Sequence, residues 1–284
     1  MRETTIDAHQ HFLDPAKGDY SWMRGPFEVI RRRYGPADLR PLLDSFAIRR
    51  TVLVEARHDL AETGEMLEAV RSVDWVAGVV GWVDLADSGV GDTIAELRTR
   101  PGGNRLVGIR YHFVWGDPAR PIGPEEDRGL AAVARAGLTF DLSARTPELP
   151  SALAVARRHP DLQFVLHHLG LPPIASGELE PWASYVRLLA GLENVAIKFS
   201  GMVTEADWNT WRAGDLASYV GHARDVFGTD RMVFGTDWPV CLMAGSYGQV
   251  VGGMVEALGP VSESERSAIF GGNAARVYRL TSAV

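Results

Sequence analysis

Residues 4–14 read "TTIDAHQHFLD", and the alternation of Asp7, His9 and His11 within them decides how the rest of the chain is read. Alternate residues of an extended strand share a face. The spacing therefore predicts a carboxylate and two imidazoles gathered on one side of a short strand. Ionisable side chains are costly to bury unless they are paired, coordinated or used in chemistry. A strand built this way is expected to end at a functional pocket, with Asp7 behind the histidines to orient one of them.

Seven further apolar, β-branched runs follow it: "RTVLVEA" (50–56), "VAGVVGWVDL" (76–85), "RLVGIRYHFV" (105–114), "LTFDLSA" (138–144), "LQFVLHHLG" (162–170), "NVAIKFSG" (194–201) and "RMVFGTDWPV" (231–240). Most lack polar alternation, as parallel strands covered on both faces do. Eight amphipathic segments of helical period alternate with these runs, several with proline or an acidic residue in the first turn and glycine near the end. Eight strands each followed by a helix predict a (β/α)8 TIM barrel, one domain over residues 1–284. An open, doubly wound sheet is the alternative. One connection is long: residues 12–35 follow strand one and carry Tyr20, Trp22, Phe27 and the run Arg31–Arg33. Connections of that length are commonly functional, so the segment is expected to form a lid over the barrel mouth.

The composition is that of a folded enzyme-sized protein, with 46% hydrophobic and 23% charged residues in 284. A formal net charge of −7 argues against nucleic acid or an anionic membrane as partner. Cys241 is the single cysteine, so no intramolecular disulfide forms, and it reads as a small buried apolar residue. No run is long enough to span a bilayer and no secretory leader is visible, so a cytoplasmic location is expected. The apolar residues of "YGQVVGGMVEALG" are expected to pack on the barrel, with a homo-oligomer contact as the other use.

Barrel chemistry sits at the carboxyl ends of the strands, and the polar residues concentrate there. Strand one ends in His9 and His11, strand two in Glu55, and strand four carries Arg110 and His112 two apart. Strand five has Asp141, strand six has His167 and His168 facing opposite ways, strand seven has Lys198 and Ser200, and strand eight has Thr236 and Asp237. A single histidine at a strand end is most often structural. So many strand ends carrying ionisable groups point to a shared pocket. Trp22, Trp82, Trp115 and Trp238 are candidates for packing on a sugar ring.

With His9-x-His11 on strand one and "FGTDWP" closing strand eight, the chain resembles the amidohydrolase superfamily, in particular its amidohydrolase-2 branch. "VLVEARHDLAETGEML", "FVLHHLGLPP", "NVAIKFSGMVTEADW" and "NAARVYRL" extend the likeness to sugar-lactone lactonases of the fuconolactone and rhamnonolactone type and to 2-pyrone-4,6-dicarboxylate lactonases. The resemblance implies a barrel hydrolase in which Asp237 is the general base on water. It further implies that His9, His11 and His168 bind a metal or polarise the carbonyl. Two departures stand out: Asp141 replaces a strand-five histidine, and His167 stands where relatives have an aspartate. Two cofactor alternatives are therefore open. Either one divalent metal, zinc or manganese, is held by His9, His11 and Asp237, or the protein is metal-independent.

The expected reaction is opening of a small-molecule lactone, with a sugar lactone ranked above a dicarboxylate lactone. Arg110, His112, Lys198, Trp22 and Glu55 are the candidate substrate-binding residues. A metal-dependent decarboxylase is the alternative within the superfamily, and a non-catalytic binding platform the alternative outside it.

Overall fold

The computed structural model describes residues 5–112 and 122–281. Eight strands pair in parallel in the order of the sequence: β1 (Ile6–Gln10), β2 (Arg50–Val54), β3 (Val76–Gly81), β4 (Leu106–Tyr111), β5 (Thr139–Leu142), β6 (Phe164–Leu166), β7 (Val195–Phe199) and β8 (Met232–Phe234). The predicted runs all become strands, with ends trimmed by up to several residues. Trp115, just past the fourth run, lies outside the described residues.

Closure of the sheet is made at the carboxyl-terminal rim. There the His11 N–H donates to Trp238 O and the Asp237 N–H to His9 O, each at 2.8 Å. Gly235 makes the approach possible, since a Cβ there would lie 2.7 Å from that of His9. The open-sheet alternative is thereby overturned: first and last strands meet at the residues expected to do chemistry.

The eight expected helices form as α1 (Pro36–Ser45), α2 (Leu60–Ala69), α3 (Val90–Thr99), α4 (Pro124–Arg135), α5 (Leu149–Arg158), α6 (Trp182–Ala190), α7 (Ala213–Phe227) and α8 (Tyr247–Leu258). Their starts carry the signals read in the sequence. Pro36 and Pro124 open α1 and α4, while Asp38 and Glu126 each accept the backbone N–H just ahead of the helix at 2.8 Å. In α8 the apolar residues Tyr247, Val250, Met254 and Leu258 are buried against the barrel and α7, as the packing expectation held.

Two apolar cores result. The larger lies between sheet and helices; the smaller fills the barrel with Ile6, Ala8, Val52, Val54, Val80, Val165, Ala196 and Val233. Two short helices, α9 (Glu263–Ser267) and α10 (Asn273–Val277), follow α8. Ala274, Val277 and Tyr278 join the inner core, and Thr139 Oγ1 donates to Val277 O at 2.9 Å. None of the described helices is long and apolar enough to cross a membrane.

Residues 12–35 fold back on the barrel, with a bridge between Leu13 and Tyr34 and a short 3-10 helix at Gly25–Ile30. Trp22 Nε1 donates to Ala56 O at 2.8 Å, Trp22 meets Phe27 edge-on, and Phe27 meets Trp208 beyond β7 in the same way. The aromatics thus tie the segment across the mouth from the β2 side to the β7 side. Arg31, Arg32 and Arg33 face Asp19, Asp38 and Asp14 respectively, so that run anchors the segment rather than lining the interior.

Candidate active site

A bulge in β1 builds the centre of the site. The register with β2 shifts between Asp7 and Gln10, which breaks the simple alternation. Ile6 and Ala8 enter the inner core, and beyond the bulge the imidazoles of His9 and His11 also point into the barrel. Asp7 does not share their face, contrary to the sequence expectation. Its carboxylate accepts from the backbone N–H of His9 at 3.1 Å, and from Thr236 through N–H at 2.9 Å and Oγ1 at 2.6 Å. The α8 hydroxyl of Tyr247 also reaches it. It therefore acts on His9 through the main chain, clamping β1 to the end of β8. Burial pushes its carboxyl up to about 6.

His9, His11 and Asp237 converge. His9 Nε2 lies 3.1 Å from His11 Nε2, and each nitrogen lies 3.3 Å from Asp237 Oδ1. Asp237 sits past the end of β8 with φ of 61°, a left-handed backbone that turns its carboxylate inward. His168 Nε2 stands 3.9 Å from the same oxygen, and His168 Nδ1 lies 2.8 Å from Ser200 Oγ.

His167 and His168 do not face opposite ways. The chain leaves the strand at Leu166, and His168 takes a positive φ of 51°, so strand alternation no longer applies. Both rings pack on His9, at 4.7 and 4.6 Å between centroids. Gly201 has to be glycine for this: its φ is +60°, and a Cβ would come within 2.2 Å of His168 Nδ1.

Below the histidines lies a fully buried polar layer. Asp141 accepts from Lys198 Nζ at 2.7 Å, from His167 Nε2 at 2.7 Å, and from the Tyr278 hydroxyl at 2.8 Å. Lys198 is completely buried and stands beneath His9 rather than on the cavity wall, which revises its expected part in binding substrate. Glu55 is likewise fully buried. It receives the Arg110 Nε at 2.5 Å and has His112 Nε2 at 3.8 Å, so it holds the two residues that do line the cavity.

The cavity above has a volume of about 590 Å³, in the range of small-molecule sites. Its wall carries His11, Trp22, Arg110, His112, His168 and Asp237. Trp82 stacks on Tyr111 and Trp238 is buried at the seam against Tyr34, so neither supplies that wall. The sequence did not single out Arg57, Arg145 and Glu205, which also line it. All three stand a few residues beyond the strands, in turns where periodicity carries no signal. Arg145 Nη1 and Glu205 Oε2 are 3.3 Å apart, and burial raises the Glu205 carboxyl.

Burial holds His9, His112 and His167 well below the usual imidazole range and brings His168 down to about 4. Burial also opposes ionisation of Asp237. The facing imidazoles of His168 and His11, with the Arg110 charge, outweigh it and keep that carboxyl below its ordinary value. Cys241, just beyond, is buried and its thiol is pushed far up by burial, as an inert core residue.

A model of the amidohydrolase family matches residues 6–280. The chain belongs to that family. An L-fucono-1,5-lactonase of Burkholderia multivorans is 37% identical over 293 residues, covering 99% of this chain and 97% of the relative. A crystal structure of an amidohydrolase from Burkholderia multivorans with bound zinc superposes with a TM-score of 0.90 at 36% identity, covering 98% of this chain and all of that one. A manganese-bound dihydroxybenzoic acid decarboxylase of Polaromonas sp. JS666 shares only the fold, at 17% identity and a TM-score of 0.66 over 98–99% of both chains.

The family implies a divalent metal, and the donor set fits one. Zinc binds imidazole nitrogen at about 2.0–2.1 Å, which places tetrahedral ligands roughly 3.3 Å apart. The His9, His11 and Asp237 atoms are separated by 3.1–3.3 Å. His11 is also set for ligation, because its Nδ1 donates to Val54 O at 2.8 Å and leaves Nε2 bare.

Proposed function

We propose that this amidohydrolase opens the lactone ring of a neutral sugar acid. The observation that carries it is a carboxylate, Asp237, within 3.9 Å of three imidazoles, His9, His11 and His168, on the wall of a cavity sized for one small molecule. The kinship with L-fucono-1,5-lactonases supports the same substrate class.

Asp237 takes a proton from water as the water oxygen adds to the ring carbonyl. The His168 imidazole stands 3.9 Å from Asp237 Oδ1 on the cavity wall and meets the developing oxyanion, while His9 packs fully buried behind it. The tetrahedral centre then collapses, the bond to the ring oxygen breaks, and the proton held by Asp237 passes to that oxygen. The product is the open-chain hydroxy acid. A metal held by His9, His11 and Asp237 would polarise the carbonyl as a Lewis acid.

The charges on the wall favour a polyol over a dicarboxylate. Among the described residues, each cavity arginine already faces a carboxylate: Arg57 faces Glu62 and Glu65, Arg110 faces Glu55, and Arg145 faces Glu205. Asp19, Asp59 and Glu205 add acceptors suited to sugar hydroxyls. At the strand-five position, Asp141 is committed to Lys198, His167 and Tyr278, which disfavours the decarboxylase alternative.

The test is acid release from a panel of aldonolactones and one pyrone dicarboxylate, before and after chelation, in wild type and Asp237→Asn. Aldonolactone turnover that falls by about 10²–10⁴ in the variant, with the fold retained, is the expected result. Turnover of no lactone in either metal state, or full activity in Asp237→Asn, overturns the proposal.

A further inference from the structure

The two strand-one histidines are not equivalent. A ligating histidine normally donates its second ring N–H to a carbonyl or carboxylate, which fixes the tautomer that leaves the ligating nitrogen bare. His11 obeys this through Val54 O. His9 does not: its Nδ1 faces Lys198 Nζ at 3.3 Å.

The hydrogens that lysine donates are assigned by its hydrogen-bond partners. Asp141 is fully buried and accepts from three donors, Lys198, His167 and Tyr278. A buried carboxylate so placed needs a cation beside it, and Lys198 Nζ is 2.7 Å away. His167 Nε2 spends its hydrogen on Asp141 and offers Lys198 no acceptor. One ammonium hydrogen goes to Asp141, and the next available acceptor is His9 Nδ1.

We propose that Lys198 is a positioning residue that locks His9 as the tautomer with hydrogen on Nε2, making His9 a hydrogen-bond donor to His11 and an opposed ligand for a metal. The Nε2 hydrogen is then donated to His11 Nε2 at 3.1 Å, the nitrogen that His11 leaves bare by donating Nδ1 to Val54 O. Ligation of zinc by His9 requires the imidazole hydrogen to move to Nδ1, where it meets the ammonium. The fold thus places its own fixed cation under the site, and a divalent ion has to displace one of its hydrogen bonds. This deepens the proposed hydrolysis and rests on Asp237 being the base.

The test reads the tautomer directly. Uniformly ¹⁵N-histidine-labelled full-length protein, dialysed against chelator, gives long-range ¹H–¹⁵N spectra, with His9 assigned by loss of its signals in His9→Gln. Protonated Nε2 and bare Nδ1 at His9, with the reverse at His11, is the expected pattern. A bare Nε2 at His9 overturns the proposal, and this measurement needs no lysine variant to fold. In Lys198→Met, zinc affinity measured by chelator competition is expected to rise at least 10-fold over wild type. Unchanged or weaker zinc binding in a folded Lys198→Met overturns it equally. Failure of the wild type to hydrolyse any lactone would remove the proposed reaction while leaving the tautomer measurement standing, so the two can fail separately.

Discussion

Glu62 shows how a single buried carboxyl is tied to the site without touching substrate. It accepts the backbone N–H groups of Ala56 at 2.9 Å and Arg57 at 2.6 Å, shaping the turn after β2 that carries Arg57 to the cavity. Burial pushes its carboxyl up to about 8. An acid raised in the folded state binds more protons there than unfolded, so stability falls as pH rises between its unfolded value and about 8. Thermal midpoints should therefore drop from pH 5 to pH 8 in the wild type and drop less in Glu62→Gln. An equal drop in both, followed by circular dichroism, would remove Glu62 as the cause. No periodicity in "RHDLAETGEML" marks Glu62 as buried, since it occupies the first turn of a helix where acidic residues are ordinarily solvated. His9, His11, Arg110 and Asp237 were legible because strand ends of a barrel have a known destination. Lys198 and Asp141 were legible as polar strand residues, but their depth was not: whether a residue stands on the cavity wall or one layer below depends on where the strand ends.

At the level of elements, the segment from residue 12 to residue 35 is the part the sequence marked by length alone. Its aromatics decide what it does. Trp22 hydrogen-bonds across to Ala56, and the Trp22–Phe27–Trp208 contacts span the mouth. Trp22→Ala should raise KM for a sugar lactone severalfold while leaving kcat within about a factor of three, because the base and its imidazoles are positioned by the strands. Loss of the hydrogen bond and of the aromatic contacts should lower stability by about 1–3 kcal/mol. A large fall in kcat with unchanged KM would show instead that the segment enters the chemistry. The helices were readable because proline and acidic signals at their starts are local. The turn at His167 and His168 was not, because its direction is set by a positive φ at His168 and by the space left at Gly201.

For the whole molecule, the decisive contacts join the most distant parts of the chain. The Tyr278 hydroxyl enters from beneath the barrel and reaches Asp141 at 2.8 Å, so the segment after α10 is bonded to the layer under the histidines. Tyr278→Phe removes a hydrogen bond to a buried charge and should cost about 1.5–3 kcal/mol in denaturant unfolding. It should also lower lactone turnover through the loosened layer. A neutral change in both would mean that His167 and Lys198 satisfy Asp141 alone. The seam has a different kind of consequence. Asp237 bonds backbone to His9, and its carboxylate meets His11, 226 residues away in sequence. Such long-range contacts form only after the intervening chain has been ordered, because each closes a very large loop. Regain of activity during refolding is thus a clock for the last event on the pathway, running behind the return of helix signal. Trp238, buried at that same seam, is one of eight tryptophans in the chain, and the fluorescence change lost in Trp238→Phe would follow the event.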